Sequence, residues 1–133
     1  MMAYAPEHNP RRRRAPTPRP DYVVTRNGAV VAMLDAKYRD IWENGLPRDM
    51  LYQLAIYALS QGARGDSAIL YPTVTDTANP EVVDIREVMH GHQRGKVTLR
   101  PVNLYRLEQA ITNTGLQASR ERQQLAQQLA FGA

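Results

Sequence analysis

The chain has 133 residues, no cysteine and a formal net charge of +4, which points to one domain with tails and excludes disulfides, thiolate zinc sites, iron–sulfur clusters and cysteine nucleophiles. No apolar run approaches the roughly 18 residues of a membrane span. Arginines and prolines also stand where a signal peptide would place its apolar region, so a soluble, cytoplasmic protein is expected.

The charge is concentrated at one end. Residues 1–20 hold five arginines and five prolines against Glu7 alone, whereas residues 21–133 hold twelve basic and twelve acidic side chains. The body is formally neutral, so the high pI is no sign of a basic folded surface, and any pull on nucleic acid falls to the arm. Residues 1–19 have too little apolar surface to fold alone and are expected to form a disordered basic arm. Arg11, Arg12, Arg13 and Arg14 would either contact DNA phosphates by counterion release or remain a solvated linker.

From Asp21 to Lys37 the sequence reads as two apolar strands joined by a turn at Asn27-Gly28. Asp21, Asp35 and Lys37 stand at the strand ends, where a purely structural sheet has little use for charge. Their relative placement depends on register, because side chains alternate with period two. A two-residue turn without a bulge sets Asp21 opposite Leu34 and puts the two aspartates on opposite faces. A three-residue loop, Arg26-Asn27-Gly28 with Gly28 left-handed, instead pairs Asp21 with Met33 and leaves Asp35 a diagonal neighbour on the same face as Lys37. If the charged trio is a site, the three-residue loop is expected.

The second strand is apolar on both faces, as in the interior of a covered sheet. After a polar loop from Arg39 to Pro47, residues Arg48 to Gln61 read as a helix, with Asp49 near its start and Gly62 past its end. Leu51, Leu54, Tyr57 and Ala58 recur at helical spacing, and Gln53 and Tyr57 lie one turn apart. Asp66 to Val74 reads as a third strand, Thr75 to Pro80 as a turn, and Glu81 to Val88 and Lys96 to Asn103 as weaker strands. A helical pattern runs from Leu104 through Ile111 and breaks at Gly115. Leu116 to Phe131, with Leu125 and Leu129 one turn apart, reads as an amphipathic tail helix packed on the body or on another subunit. The order implies a mixed α/β sandwich. His90 and His92 in a Gly-bounded loop lack a third ligand in view and read as exposed rather than metal-binding. Trp42 reads as core or lid packing rather than a base-stacking platform, and nothing resembles a P-loop.

Pro20-Asp21, then Asp35-Ala36-Lys37, then Gln53-x-x-x-Tyr57 on the next helix resembles the PD-(D/E)XK nuclease superfamily, in its RecB-like branch. The longer words Leu34-Asp35-Ala36-Lys37-Tyr38 and Leu51-Tyr52-Gln53-Leu54-Ala55-Ile56-Tyr57-Ala58 look most like McrC-type nuclease domains of McrBC restriction systems. The resemblance covers about residues 20–112, leaving 113–133 as the tail. It implies a restriction-endonuclease-like mixed central sheet flanked by helices, here without the usual N-terminal helix and first strand, as in a reduced or partial form. It also implies a Mg²⁺ (or Mn²⁺) ion on Asp21, Asp35 and the Ala36 carbonyl. Lys37 would act on the attacking water, and Gln53 and Tyr57 would contact substrate or support the site. The implied activity is metal-dependent DNA endonucleolysis, with DNA, a McrB-like GTPase or other motor subunit, or a second copy as partners. A non-catalytic DNA-binding or assembly module that keeps the nuclease fold is the alternative, and an unrelated small α/β structural protein is the third reading.

Overall fold

The computed structural model describes residues 2–17 and 19–132; Met1 and Pro18 of the arm and Ala133 of the tail lie outside the described residues. The arm contains one short 3-10 turn, Pro6–His8, and its Arg11 to Arg14 are exposed. Thereafter the elements are β1 (Tyr22–Arg26), β2 (Ala29–Ala36), α1 (Ile41–Asn44), α2 (Arg48–Ser60), β3 (Gly65–Thr73), β4 (Glu81–Arg86), β5 (Gln93–Asn103), α3 (Leu104–Thr112) and α4 (Leu116–Phe131). The expected helices and strands are all present, within a few residues at their ends. The loop expected from Arg39 to Pro47 contains α1, whose first turn is capped by Asp40 accepting from the Trp42 amide.

The strands form one mixed five-stranded sheet in the order β1-β2-β3-β5-β4. The two outer pairs are antiparallel, and β2, β3 and β5 run parallel. A parallel pair needs a crossover, and α2 supplies the one between β2 and β3. Alternation along β3 then separates two cores. Ile69 and Tyr71 face α2 and pack with Ile41, Leu54, Tyr57, Val97 and Leu99, while Ala68 faces the other way and packs with Ala32 and Leu34. Ala130 of α4 lies against this second, small-residue cluster. The tail helix therefore docks at its C-terminal end on the body of its own chain. At its other end Ala118 is buried, and Arg122 donates to the Ala110 and Asn113 carbonyls at the C-terminus of α3.

The buried face of α2 carries Leu54, Tyr57 and Ala58, three and four residues apart. Polar bonds fix how the helix sits. The Ser67 hydroxyl donates to the Leu54 carbonyl at 2.6 Å, and the Gln61 amide donates to the Tyr57 and Asp66 carbonyls. Gly65 begins β3 directly under the last turn of α2, where an added Cβ would collide with the Ala58 carbonyl. Because that obstacle is main chain, it cannot swing aside. Gly65→Ala is expected to destabilise the fold by about 3 kcal/mol, read as a lower urea midpoint at unchanged slope.

Tyr71 is buried, and among the described residues its hydroxyl has no hydrogen-bond partner. Burial, with smaller contributions from the Glu81 and Asp40 carboxylates, pushes this phenol up from 10.0 to about 12. Below the ordinary value both folded and unfolded chains keep the proton, and nothing is lost. As pH rises past 10 towards about 12, the unfolded chain releases the proton first and stability falls. Tyr71→Phe is expected to flatten this alkaline loss in urea titrations at stepped pH. At neutral pH it should leave stability unchanged or raise it by about 1 kcal/mol, since an unpaired buried group is removed.

Candidate active site

The site begins with a register that differs from the expected one. The turn has two residues, with Asn27 at φ 52° and Gly28 at φ 78°, the left-handed pair of a type I′ hairpin. Arg26 pairs with Ala29 and Thr25 with Val30, but Val24 pairs with Ala32, leaving Val31 as an extra residue in β2. The three-residue loop is thus corrected: the odd residue is a bulge inside the second strand. A type I′ turn matches the right-handed twist of the flanking strands, so Asn27-Gly28 retains the tight turn and the ladder takes up the mismatch further along. Beyond the bulge Tyr22 pairs with Leu34. One step further Asp21 comes directly opposite Asp35, closer than the diagonal arrangement expected.

The two aspartates clasp each other's main chain. The Asp21 amide donates to Asp35 Oδ1 at 3.1 Å, and the Ala36 amide donates to Asp21 Oδ2 at 2.9 Å. Asp35 is 3% exposed, and its Oδ2 lies 3.6 Å from Lys37 Nζ. Lys37 is held in line because its amide donates to the Leu70 carbonyl, extending the parallel ladder past Ala36. Two carboxylates and an ammonium therefore meet where β1 begins against the end of β2. Asp21 Oδ1 and Asp35 Oδ2 are the carboxylate oxygens that these main-chain bonds leave free. The cavity here is lined by Asp21, Tyr22, Ala36, Lys37 and Tyr38, and the Tyr38 side chain is fully exposed.

Met33 packs with the α2-side core, so Asp35, two residues on, faces α2 as well. The glutamine and tyrosine of that helix join differently. Gln53 Nε2 donates to the Tyr57 hydroxyl at 2.6 Å, and Tyr57 is 1% exposed as part of the core. Burial raises the Tyr57 phenol above its usual value, the Gln53 hydrogen bond partly offsets this, and the Asp35 and Asp21 carboxylates add to it. Tyr57 is thus within electrostatic reach of both aspartates but sealed from solvent, and the half-buried Gln53 is the member of the pair nearer the surface.

The remaining candidates lie elsewhere. His90 and His92 stack at 5.6 Å with both Nδ1 atoms towards Glu87, at 3.4 and 3.8 Å. Desolvation acts to raise Glu87, but amide donation from His90, Met89 and His92 outweighs it and holds the carboxyl below its usual range. This is a self-capped hairpin loop. Trp42 is partly exposed on α1. Among the described residues no group of three or more His, Cys, Asp or Glu side chains is placed to hold a metal ion, and no helix is long and apolar enough to cross a membrane. Sequence reasoning passed over Arg100, which is 5% exposed. Its one signal was a lone cation inside the strand pattern Val97-Thr98-Leu99-Arg100.

In comparisons with known proteins, no family model, no curated protein and no solved structure matches the chain.

The coupling of Tyr57 to the carboxylates can be measured apart from any activity. Asp35→Asn removes one of the charges that hold the Tyr57 proton on, so Tyr57 should ionise at lower pH than in the parent. Alkaline tyrosinate absorbance, assigned by subtracting the Tyr57→Phe curve, checks this. An unchanged Tyr57 titration would place Asp35 out of reach of the helix.

Proposed function

We propose that the Asp21–Asp35–Lys37 cluster is the phosphodiesterase centre of a Mg²⁺-dependent DNA endonuclease of PD-(D/E)XK type, acting as nuclease subunit of a McrBC-like defence system. The observation that carries the reading is the pairing of Asp21 directly across from Asp35, with Lys37 on the face of Asp35. Two carboxylates brought together in this way, one of them buried, need cationic compensation beyond one lysine.

The donor set suits a hard divalent cation. Mg²⁺ is commonly held by one or two carboxylates and keeps several waters; Asp21 Oδ1, Asp35 Oδ2 and, by the resemblance, the Ala36 carbonyl are the oxygens available. When bound, the ion would neutralise charge on the phosphoryl oxygens and lower the pKa of water. The chain's own residues do the rest. The clasp between the two strand ends holds both carboxylates in one geometry before substrate arrives, so little reorganisation is left to the reaction. Lys37, anchored through its amide to β3, presents an ammonium that can orient the attacking water and offset charge developing on the phosphate. Gln53 and Tyr57, bonded to each other on α2, would contact substrate or support the site. The exposed arginines of the arm add salt-sensitive attraction for the DNA backbone. These residues hold no P-loop, so a nucleotide-driven motor would lie outside them.

Purified protein should cleave plasmid DNA in Mg²⁺, and EDTA should abolish cleavage. Asp21→Asn and Lys37→Ala should each lower the rate by about 100-fold or more. Cleavage that survives both substitutions and EDTA would remove the proposed centre. DNA binding that weakens with salt, without cleavage, would instead favour the non-catalytic module.

A further inference from the structure

A second cavity, of about 420 Å³, lies at the carboxyl ends of β3 and β5, walled by the end of α4 and the start of α3. Among its lining residues are Thr73, Arg100, Asn103, Arg106, Gln128 and Gly132. Arg100 is the unusual member. It projects from the middle of the sheet on the α4 side, and its Nη1 donates to the Leu129 and Ala130 carbonyls at 2.8 and 2.9 Å. Its Nε is buried without a partner among the described residues. Burial lowers the guanidinium below its usual value, with Asp66 acting in the opposite direction, yet arginine stays charged in proteins.

An unpartnered donor on a buried cation is costly, and main-chain carbonyls occupy only one corner of the fork. The opposite edge faces Gly132, which is left-handed at φ 78°. A Cβ there would stand 3.2 Å from Nη2 and 3.3 Å from Nε, so only a residue without a side chain lets the chain pass this close to the fork while Nη2 stays open to the cavity. Across the cavity Asn103 caps α3 by accepting from the Tyr105 and Arg106 amides. The positive end of this nine-residue helix and the Arg106 side chain are thereby presented at the same opening. One carboxylate opposes them. Asp76 also lines the cavity and is tied to Asn103 Nδ2 at 2.9 Å.

We propose that this cavity is an oxyanion site for the phosphate group of a phosphate ester, held by the Nη2 side of the Arg100 guanidinium and by Arg106. Two guanidinium forks suit the several oxygens and double charge of a phosphate, and the cavity is large enough to admit part of the esterified group as well. Ala36, Leu70 and Arg100 lie in one row across the parallel strands, which puts the Arg100 backbone about 10 Å from that of Ala36 at ordinary strand spacing. The cavity opens at the same end of the sheet but on the other face. The ester is therefore either a free nucleotide or a phosphate of a nucleic-acid strand passing round the sheet edge. The site stands whether or not the aspartates are catalytic.

The test is NMR of ¹⁵N-labelled protein, following the assigned Arg100 Nε–H resonance during titration with inorganic phosphate, a nucleoside 5′-monophosphate and a single-stranded oligonucleotide. The resonance should move saturably. Arg106→Gln, an exposed position, and Gly132→Ala, which fills the cradle, should each weaken binding on the order of tenfold while leaving the helical circular dichroism intact. Tighter saturation by oligonucleotide than by mononucleotide assigns the site to a strand, and the reverse order assigns it to a free nucleotide. No saturable movement with any of the three, or equal affinity in the parent and both variants, overturns the proposal.

Discussion

Everything in this molecule is referred to β3. It is paired on both sides by parallel neighbours, β2 and β5, and parallel pairing brings the carboxyl ends of all three strands to one edge of the sheet. That edge is where open α/β sheets have room for ligands, because the strands stop and the connections turn away. Asp35 and Ala36 close β2, and Leu70 and Arg100 lie level with Ala36, three residues before β3 and β5 end. The demand on β3 is correspondingly severe. Ile69, Tyr71 and Ala68 are almost wholly buried, and Gly65 is required where α2 passes over its first residue.

The chemistry of the hairpin follows from a conflict between two local preferences. Asn27-Gly28 favours a two-residue turn, and an unbroken ladder from that turn would set Asp21 against Leu34. The extra residue at Val31 resolves the conflict and brings the aspartates face to face. A bulge leaves one residue out of the ladder, a cost accepted most readily near the edge of a sheet, and β1 is the edge strand. Two reciprocal main-chain bonds then stabilise the pairing by about 1.5–3 kcal/mol each, the range for hydrogen bonds to charged groups.

Several polar groups sit in the interior against the usual preference, and they divide by what satisfies them. Ser67 is bonded to α2, and Asp35 to β1 and Lys37. The Tyr71 hydroxyl and Arg100 Nε are left without partners among the described residues. For Tyr71 the surrounding ring contacts explain the burial, since the aromatic body fills the core between α2 and the sheet. For Arg100 packing is a weaker reason, because a buried guanidinium carries a desolvation penalty that an apolar side chain of similar size would not.

The order of strands and helices was legible in the residues themselves. Apolar runs with Gly and Pro between them mark each strand, the three-to-four spacing of Leu54, Tyr57 and Ala58 marks α2, and Leu125 and Leu129 mark the tail. Asp21, Asp35 and Lys37 stood out as charges on apolar strands, and the structure does bring them together. Register was not legible, because a bulge is one residue of mismatch distributed between two strands and has no signature in either. Nor was the partner of the tail helix, since a stripe of leucines fits its own sheet or another subunit equally well; the small cluster of Ala32, Leu34 and Ala68 accommodates it at Ala130. The burial of Arg100 depends on three segments far apart in the chain. Local pattern thus determined which elements form and which side chains carry charge. Only the tertiary structure, through strand pairing and long-range packing, decided which of those charges share a site and which lies buried beside an open cavity.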